Sequence, residues 1–179
     1  MLEKEIKLIL SQEEYDRLTE ALTFDGELLQ VNHYYHSHLC SERRISVRVR
    51  EVEGKALLQV KLPVSTQGSL AVREEREREL EAVPERITAG QLSEICGIED
   101  EAVRLGSLTT LRKLSHQIEG VEFCLDKNDY LGVTDYELEA EYTGDYPKEA
   151  VELLESLGIS SDRPAKGKYA RFWDKLYNI

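Results

Sequence analysis

Two carboxylates and an ammonium occupy every second position near the start of the chain: Glu3, Glu5 and Lys7 alternate with Leu2, Ile6 and Leu8. In a strand this spacing sets neighbouring charges about 6.6 Å apart on one face and the apolar residues on the other. Arg48 and Arg50, Lys61, the alternation Arg73, Glu75, Glu77, and the run Glu137, Glu139, Glu141 repeat the pattern. One such face alone is a solvated strand surface. Several turned toward one another would make a cavity suited to an anion held with a metal ion.

Strands and short helices must position these charges. A strand over residues 2–10 stops at Ser11, which with Glu14 forms a capping box opening a helix over Gln12–Leu22. Residues 30–36 and 44–52 read as strands, the second with a basic face, and Glu53-Gly54 as a hairpin turn into residues 55–62. Pro63 is expected to close that strand, with a polar loop at residues 65–69. The segment LAVREEREREL at 70–80 has the composition of a solvated helix, yet its alternation matches the other charged faces, and strand is the reading adopted. The register of this run is open by two residues, and Glu79 stands as the alternative to Glu75 as a metal-facing group.

Helix is expected over 84–96, with a second short one over Glu99–Arg104. Strands follow at 108–118 and 121–126, then turn-like residues 128–132 and a strand over 136–142. Pro147 and Gly158 bracket a helix, and residues 166–177 form a final one that turns Phe172, Trp173 and Leu176 toward the core. Cys40, Cys96 and Cys124 are odd in number and widely spaced, which suits free thiols better than a disulfide framework or a zinc motif. His33, His36 and His38 lack a fourth ligand in regular spacing and read as a loop or strand-edge cluster.

At 179 residues the chain is expected to form one domain, residues 1–179. A net charge of -12 argues against general binding to nucleic acid or anionic membrane. Neither a membrane span nor a signal peptide fits the sequence, so a cytoplasmic location is expected. The fold class implied is α+β: an eight-stranded antiparallel, closed or nearly closed β-barrel with helices packed outside and charged strand faces turned inward.

The charged motifs, taken in order, resemble the CYTH superfamily, the triphosphate tunnel metalloenzymes, as in bacterial CYTH-domain proteins. Glu3-Lys4-Glu5-Ile6-Lys7 looks like the ExExK signature, and Val47-Arg48-Val49-Arg50, Leu58 to Leu62 and Arg73/Glu75/Glu77 resemble the central strands. Thr109 to Arg112, Leu125-Asp126 to Gly132, Glu137 to Glu141 and Gly167-Lys168-Tyr169 follow in the expected order, so the likeness covers nearly the whole chain. One departure is Tyr34-Tyr35-His36-Ser37, where many members have an aromatic pair followed by Asp-Thr.

The resemblance implies a triphosphate tunnel that binds a linear triphosphate with Mg2+ or Mn2+. Lys7, Arg48, Arg50, Lys61, Arg73, Arg112 and Lys168 are then substrate ligands, the arginines offering bidentate contacts to phosphate oxygens. Glu3, Glu5, Glu75, Glu77, Glu139 and Glu141 are hard oxygen donors for metal, and Glu5 and Glu139 are the catalytic candidates, by holding metal or positioning water. The leading function is metal-dependent hydrolysis of inorganic triphosphate. Adenylate cyclase or thiamine triphosphatase activity stands as the alternative, and a non-catalytic sensor of triphosphate or polyphosphate as an alternative of another class. The expected partner is a small-molecule triphosphate, with no nucleic acid or membrane, and the chain is compatible with a homodimer.

Overall fold

The computed structural model describes residues 4–67, 70–163 and 165–179, with residues 64–67 and 70–73 placed by backbone alone. In chain order the elements are β1 (Glu5–Leu10), α1 (Gln12–Ala21), β2 (Gly26–His36), α2 (His38–Glu42), β3 (Ser46–Val52), β4 (Lys55–Gln67) and β5 (Leu70–Leu80). There follow β6 (Arg86–Ile87), α3 (Ala89–Cys96), β7 (Ala102–Ile118), β8 (Val121–Tyr130), β9 (Val133–Tyr142), α4 (Lys148–Ser156) and α5 (Lys168–Tyr177).

The strand order is β1-β9-β8-β7-β2-β3-β4-β5, with β6 beside β7. Its end strands, β1 and β5, share no ladder among the described residues. The expected barrel is therefore not closed by hydrogen bonds; the architecture is an antiparallel sheet with helices, α+β. No helix among the described residues is long and apolar enough to cross a membrane.

By packing, the chain divides into two compact units, one of residues 30–108 and one of residues 4–29 with 109–179. In the first, Val47, Val49, Leu58 and Val60 from β3 and β4 pack with Leu92 and Ile95 of α3 and Cys40 of α2. Glu53 (φ 50°) and Gly54 (φ 76°) make the β3–β4 turn, where two consecutive positive φ angles suit the twist of a tight hairpin. β5 is a strand despite its helix-forming composition, because its backbone is paired along β4 from Ala56↔Leu80 to Gln67↔Leu70.

Pro63 does not end β4. The strand runs on to Gln67 through a register shift between Pro63 and Ser65, an irregularity that accommodates a residue with no N–H to donate. Residues 65–67 of the expected loop are thus strand, whereas Gly68 and Ser69 lie outside the described residues. The short helix expected at 99–104 is absent: Ala102 and Val103 belong to β7 and pair with Ile87 and Arg86. Burial of Ala102 and Ile87, both fully inaccessible, outweighs the local helix preference.

In the second unit, α1 and α4 cover the apolar face of β1, β8 and β9. Tyr15, Leu18, Ala150 and Leu154 meet Leu8, Phe123, Leu125, Leu138 and Ala140. The Ser11–Glu14 capping box is present: the Glu14 N–H donates to Ser11 Oγ at 3.2 Å and the Ser11 N–H to Glu14 Oε2 at 2.8 Å. Because side chains alternate along a strand, this burial turns the charged residues of β1, β7, β8 and β9 to the opposite face.

His116 joins two elements of the same unit. Its Nδ1 lies 3.0 Å from Asp25 and its Nε2 2.6 Å from Glu122. Hydrogen bonds to Asp25 and Glu122 raise its pKa above the ordinary imidazole value. A group raised on folding stabilises fully below its unfolded pKa, and that contribution is lost as pH rises through the folded value. We expect His116→Gln to lower Tm at about pH 5.5 and to have no effect at about pH 9, a difference read by thermal unfolding at the two pH values.

Candidate active site

The second unit carries a compact network of opposite charges on the sheet face opposite α1 and α4. Register assembles it: Lys7 of β1 lies opposite Glu139 of β9, and Glu5 opposite Glu141. Asp126 of β8 lies opposite both Glu137 of β9 and Arg112 of β7. Helix α5 delivers Lys168 and Arg171, three residues apart and so on one face.

Glu139 is the hub. Its Oε1 is 3.0 Å from Lys168 Nζ and 3.3 Å from Lys7 Nζ, and its Oε2 accepts a 2.6 Å bond from Arg112 Nη2. Lys7 also donates to Glu5 at 2.8 Å. Asp126 takes one edge of Arg112, from Nε at 2.8 Å and Nη2 at 2.7 Å, and is 2.9 Å from Lys168. The third carboxylate on Lys168 is Glu137.

These contacts set the protonation states. Burial alone would raise the Glu139 carboxyl, but Lys168, Arg112 and Lys7 hold it well below the usual range. Burial pushes Glu137 up to about 7, since the adjoining charge of Glu139 adds to desolvation and Lys168 and Arg171 offset only part of it. Lys168 is desolvated, which would lower its pKa, yet Glu139, Asp126 and Glu137 raise it, so it stays an ammonium. Arg112 is held charged by Asp126 and Glu139 against the same desolvation.

Two carboxylate groups here suit a hard cation: Glu5 with Glu139 and Glu141, and Asp126 with Glu137 and Glu139, the oxygens of each group lying within 4.8 Å of one another. Oxygens bound to one magnesium at about 2.1 Å lie within about 4.2 Å of each other, so modest side-chain adjustment brings the first group into range, whereas the second already surrounds the Lys168 ammonium. Glu139 belongs to both groups. The donors are all oxygen, which fits Mg2+ or Mn2+. A third group, Glu122, Cys124 and Glu141, fits less well, because burial pushes the Cys124 thiol up and away from the thiolate form a metal needs.

The first unit holds its own charged ladder. Lys61 lies opposite Glu75 in register and 2.9 Å from it, and Arg48 Nη2 is 3.7 Å from the same carboxylate. Arg48 Nε donates to Gln59 at 2.8 Å, and Gln59 Nε2 donates to Glu77 at 2.6 Å. Arg50 Nε donates to Asn32 at 3.1 Å. Burial would raise Glu75, but Arg48 and Lys61 keep it below the usual carboxylate range. The observed register puts Glu75 beside Lys61, while Glu79 pairs with Leu57.

Of the residues singled out in the sequence, Glu5, Lys7, Arg112, Glu139, Glu141 and Lys168 thus gather in the second unit, and Arg48, Arg50, Lys61, Glu75 and Glu77 in the first. Glu3 lies outside the described residues, and Arg73 is placed only by its backbone, opposite Pro63. Asp126, Glu137 and Arg171 also belong to the network. Glu137 shares the Glu139 face in the alternation, but nothing in the sequence marks it or Asp126 as the partners of Lys168. Ser37, at the departure from Asp-Thr, caps α2 by accepting from the Cys40 N–H at 3.3 Å and donates to Asp100 at 2.5 Å.

An antiparallel sheet with carboxylates and basic side chains interleaved on one face is the arrangement of a CYTH protein. The sequence matches the CYTH domain over residues 1–167, and the chain belongs to that family. None of the curated proteins compared matches it. Among solved structures it is similar to HpAC1 from Hippeastrum, reported to have a dominant triphosphatase activity (22% identity, 97% of this chain and 96% of that one, TM-score 0.74). It is also similar to a candidate adenylate cyclase from Bacillus halodurans (23% identity, 96% and 97% covered, TM-score 0.68). The PH1012 protein of Pyrococcus horikoshii OT3 shares the fold at 18% identity, with 95% and 98% covered and a TM-score of 0.61.

Proposed function

We propose that this CYTH protein is a divalent-metal-dependent triphosphatase of the cytoplasm that hydrolyses a linear triphosphate, with inorganic triphosphate as its leading substrate. The observation that carries the reading is Glu139, whose two oxygens meet three cations from three elements and also belong to two groups of metal-compatible carboxylates. Such a centre combines phosphate-binding charge with hard oxygen donors in one place.

In this reading Glu5, Glu139 and Glu141 hold Mg2+ or Mn2+, while Asp126 and Glu137 share with Glu139 the task of holding the Lys168 ammonium. When bound, the metal supplies charge neutralisation on phosphate oxygens and a water of lowered pKa. Arg112 orients a phosphate through Nη1, the guanidinium nitrogen that makes no hydrogen bond among the described residues. Lys7 and Lys168 are proposed to bind phosphate oxygens of the substrate as charged donors, in the ground state as in the transition state. Glu5 and Glu139 position the attacking water. Arg48, Arg50, Lys61 and Arg73 are proposed as further phosphate ligands, and Glu3, Glu75 and Glu77 as further metal-side carboxylates. Lys61 and Arg48 beside Glu75 keep that carboxylate ionised, the form a hard cation needs.

The likeness to a candidate adenylate cyclase makes cyclisation of ATP the second reading. A product panel separates them: inorganic triphosphate, ATP and thiamine triphosphate, each with Mg2+ or Mn2+. Orthophosphate from inorganic triphosphate in preference to the others supports the proposal. Cyclic AMP from ATP overturns it in favour of cyclase, and binding without any product favours a sensor. Lys61→Ala should raise the triphosphate KM by about tenfold and leave metal affinity within about twofold, both measurable by initial rates and calorimetry. Unchanged KM would remove Lys61 from the site.

A further inference from the structure

Two basic residues of α5 enter the charged face, and their hydrogen bonds assign them different tasks. Lys168 presents its ammonium to Asp126, Glu137 and Glu139. Arg171 has every guanidinium nitrogen committed elsewhere. Its Nε and Nη2 grip Asp135 at 2.9 and 3.3 Å, and its Nη1 donates to the Lys166 carbonyl at 2.5 Å and lies 2.6 Å from Glu137 Oε2. Asp135 is itself fixed by Tyr130 Oη at 2.7 Å and Asn128 Nδ2 at 2.9 Å, both from β8. These four contacts leave no free pair of parallel N–H groups for a phosphate.

Resting on the triphosphatase reading, we infer that Arg171 is a positioning residue, which clamps α5 to β9 through Asp135 and Glu137 so that the Lys168 ammonium is delivered to Glu139. The planar fork suits that task. It holds Asp135 bidentately, and its remaining nitrogen pairs by charge with Glu137 Oε2 while Lys168 donates to Oε1, so the carboxylate links the clamp to the ammonium. Lys168 is only 8% exposed, and so is its site of delivery, Glu139. Burial of both means that a small rotation of α5 would cost Lys168 its register with all three carboxylates.

The test uses Arg171→Lys, which keeps the charge but removes the fork, and Asp135→Asn, which removes the clamp's anchor and leaves Arg171 intact. In ligand-free protein each should accelerate amine labelling of Lys168, read by mass spectrometry, by about fivefold or more. Each should raise the triphosphate KM about tenfold while kcat falls less than about threefold. In a Lys168→Met background, Arg171→Lys should change triphosphate affinity by less than about twofold, because the residue through which it acts is gone. Unchanged labelling, or the same loss of affinity in the Lys168→Met background, overturns the inference. Should wild-type protein fail to turn over any triphosphate, the functional reading falls, and the labelling rate of Lys168 alone decides the positioning role: faster labelling upholds it and unchanged labelling overturns it.

Discussion

Glu5→Gln is expected to lower metal-dependent triphosphate turnover by about 10²–10³-fold or more while the protein stays folded. The substitution keeps volume and removes one negative charge and one acceptor oxygen from the Glu5, Glu139 and Glu141 group. Glu5 is solvent-exposed at the end of β1, and its pairing with Lys7 at 2.8 Å is a partly exposed contact. Its loss should therefore change stability by no more than about 0.5 kcal/mol. Lys7 retains Glu139 at 3.3 Å, so no buried ammonium is stranded. Steady-state kinetics beside a thermal unfolding curve checks both halves. Near-normal turnover in the folded variant would remove Glu5 from the metal-side group.

The largest expected effect on stability comes from the other side of the same strands. Phe123 of β8 is fully inaccessible and packs in the cluster that α1 and α4 cover. Phe123→Ala should cost about 3–5 kcal/mol, the sum of lost transfer energy and the cavity left behind, measured by urea unfolding at constant m. The next residue, Cys124, lies on the charged face, opposite Glu139 in the ladder. If Phe123→Ala cost less than about 1 kcal/mol, the division of these strands into a helix-covered apolar face and a charged face would be wrong.

That division was legible in the alternation of the sequence, because a period of two fixes which residues share a face whatever their partners. The same rule gave β5 correctly as a strand, against a composition of good helix formers. The Ser11–Glu14 box and the Glu53-Gly54 turn were equally local, each specified by residues within four positions. Residues 99–104 show the limit. Their composition is weakly helical, and only the pairing of Ala102 with Ile87 makes them enter a strand. Helix α2 escaped detection because five residues carry too little periodicity, and its definition rests on the Ser37 cap.

The site divides along the same line. Faces carrying Glu5, Lys7, Glu139 and Glu141 could be read from spacing, and the family resemblance added Arg112 and Lys168. Which cation meets which carboxylate depends on strand register and on where α5 docks, and neither is encoded locally. Asp126 illustrates this: it gains its place by lying opposite Arg112 on one side and Glu137 on the other. Arg171 shares a helix face with Lys168, yet its pairing with Asp135 and Glu137 emerges only from the tertiary structure.

The central claim is that the charged face around Glu139 performs metal-dependent cleavage of a linear triphosphate. Its most direct test is orthophosphate release from inorganic triphosphate by the wild-type protein, with Mg2+ or Mn2+ and then with excess chelator. The account predicts one orthophosphate per pyrophosphate formed, dependent on metal and abolished by the chelator. Absence of release with either metal, from protein shown to be folded, would contradict it.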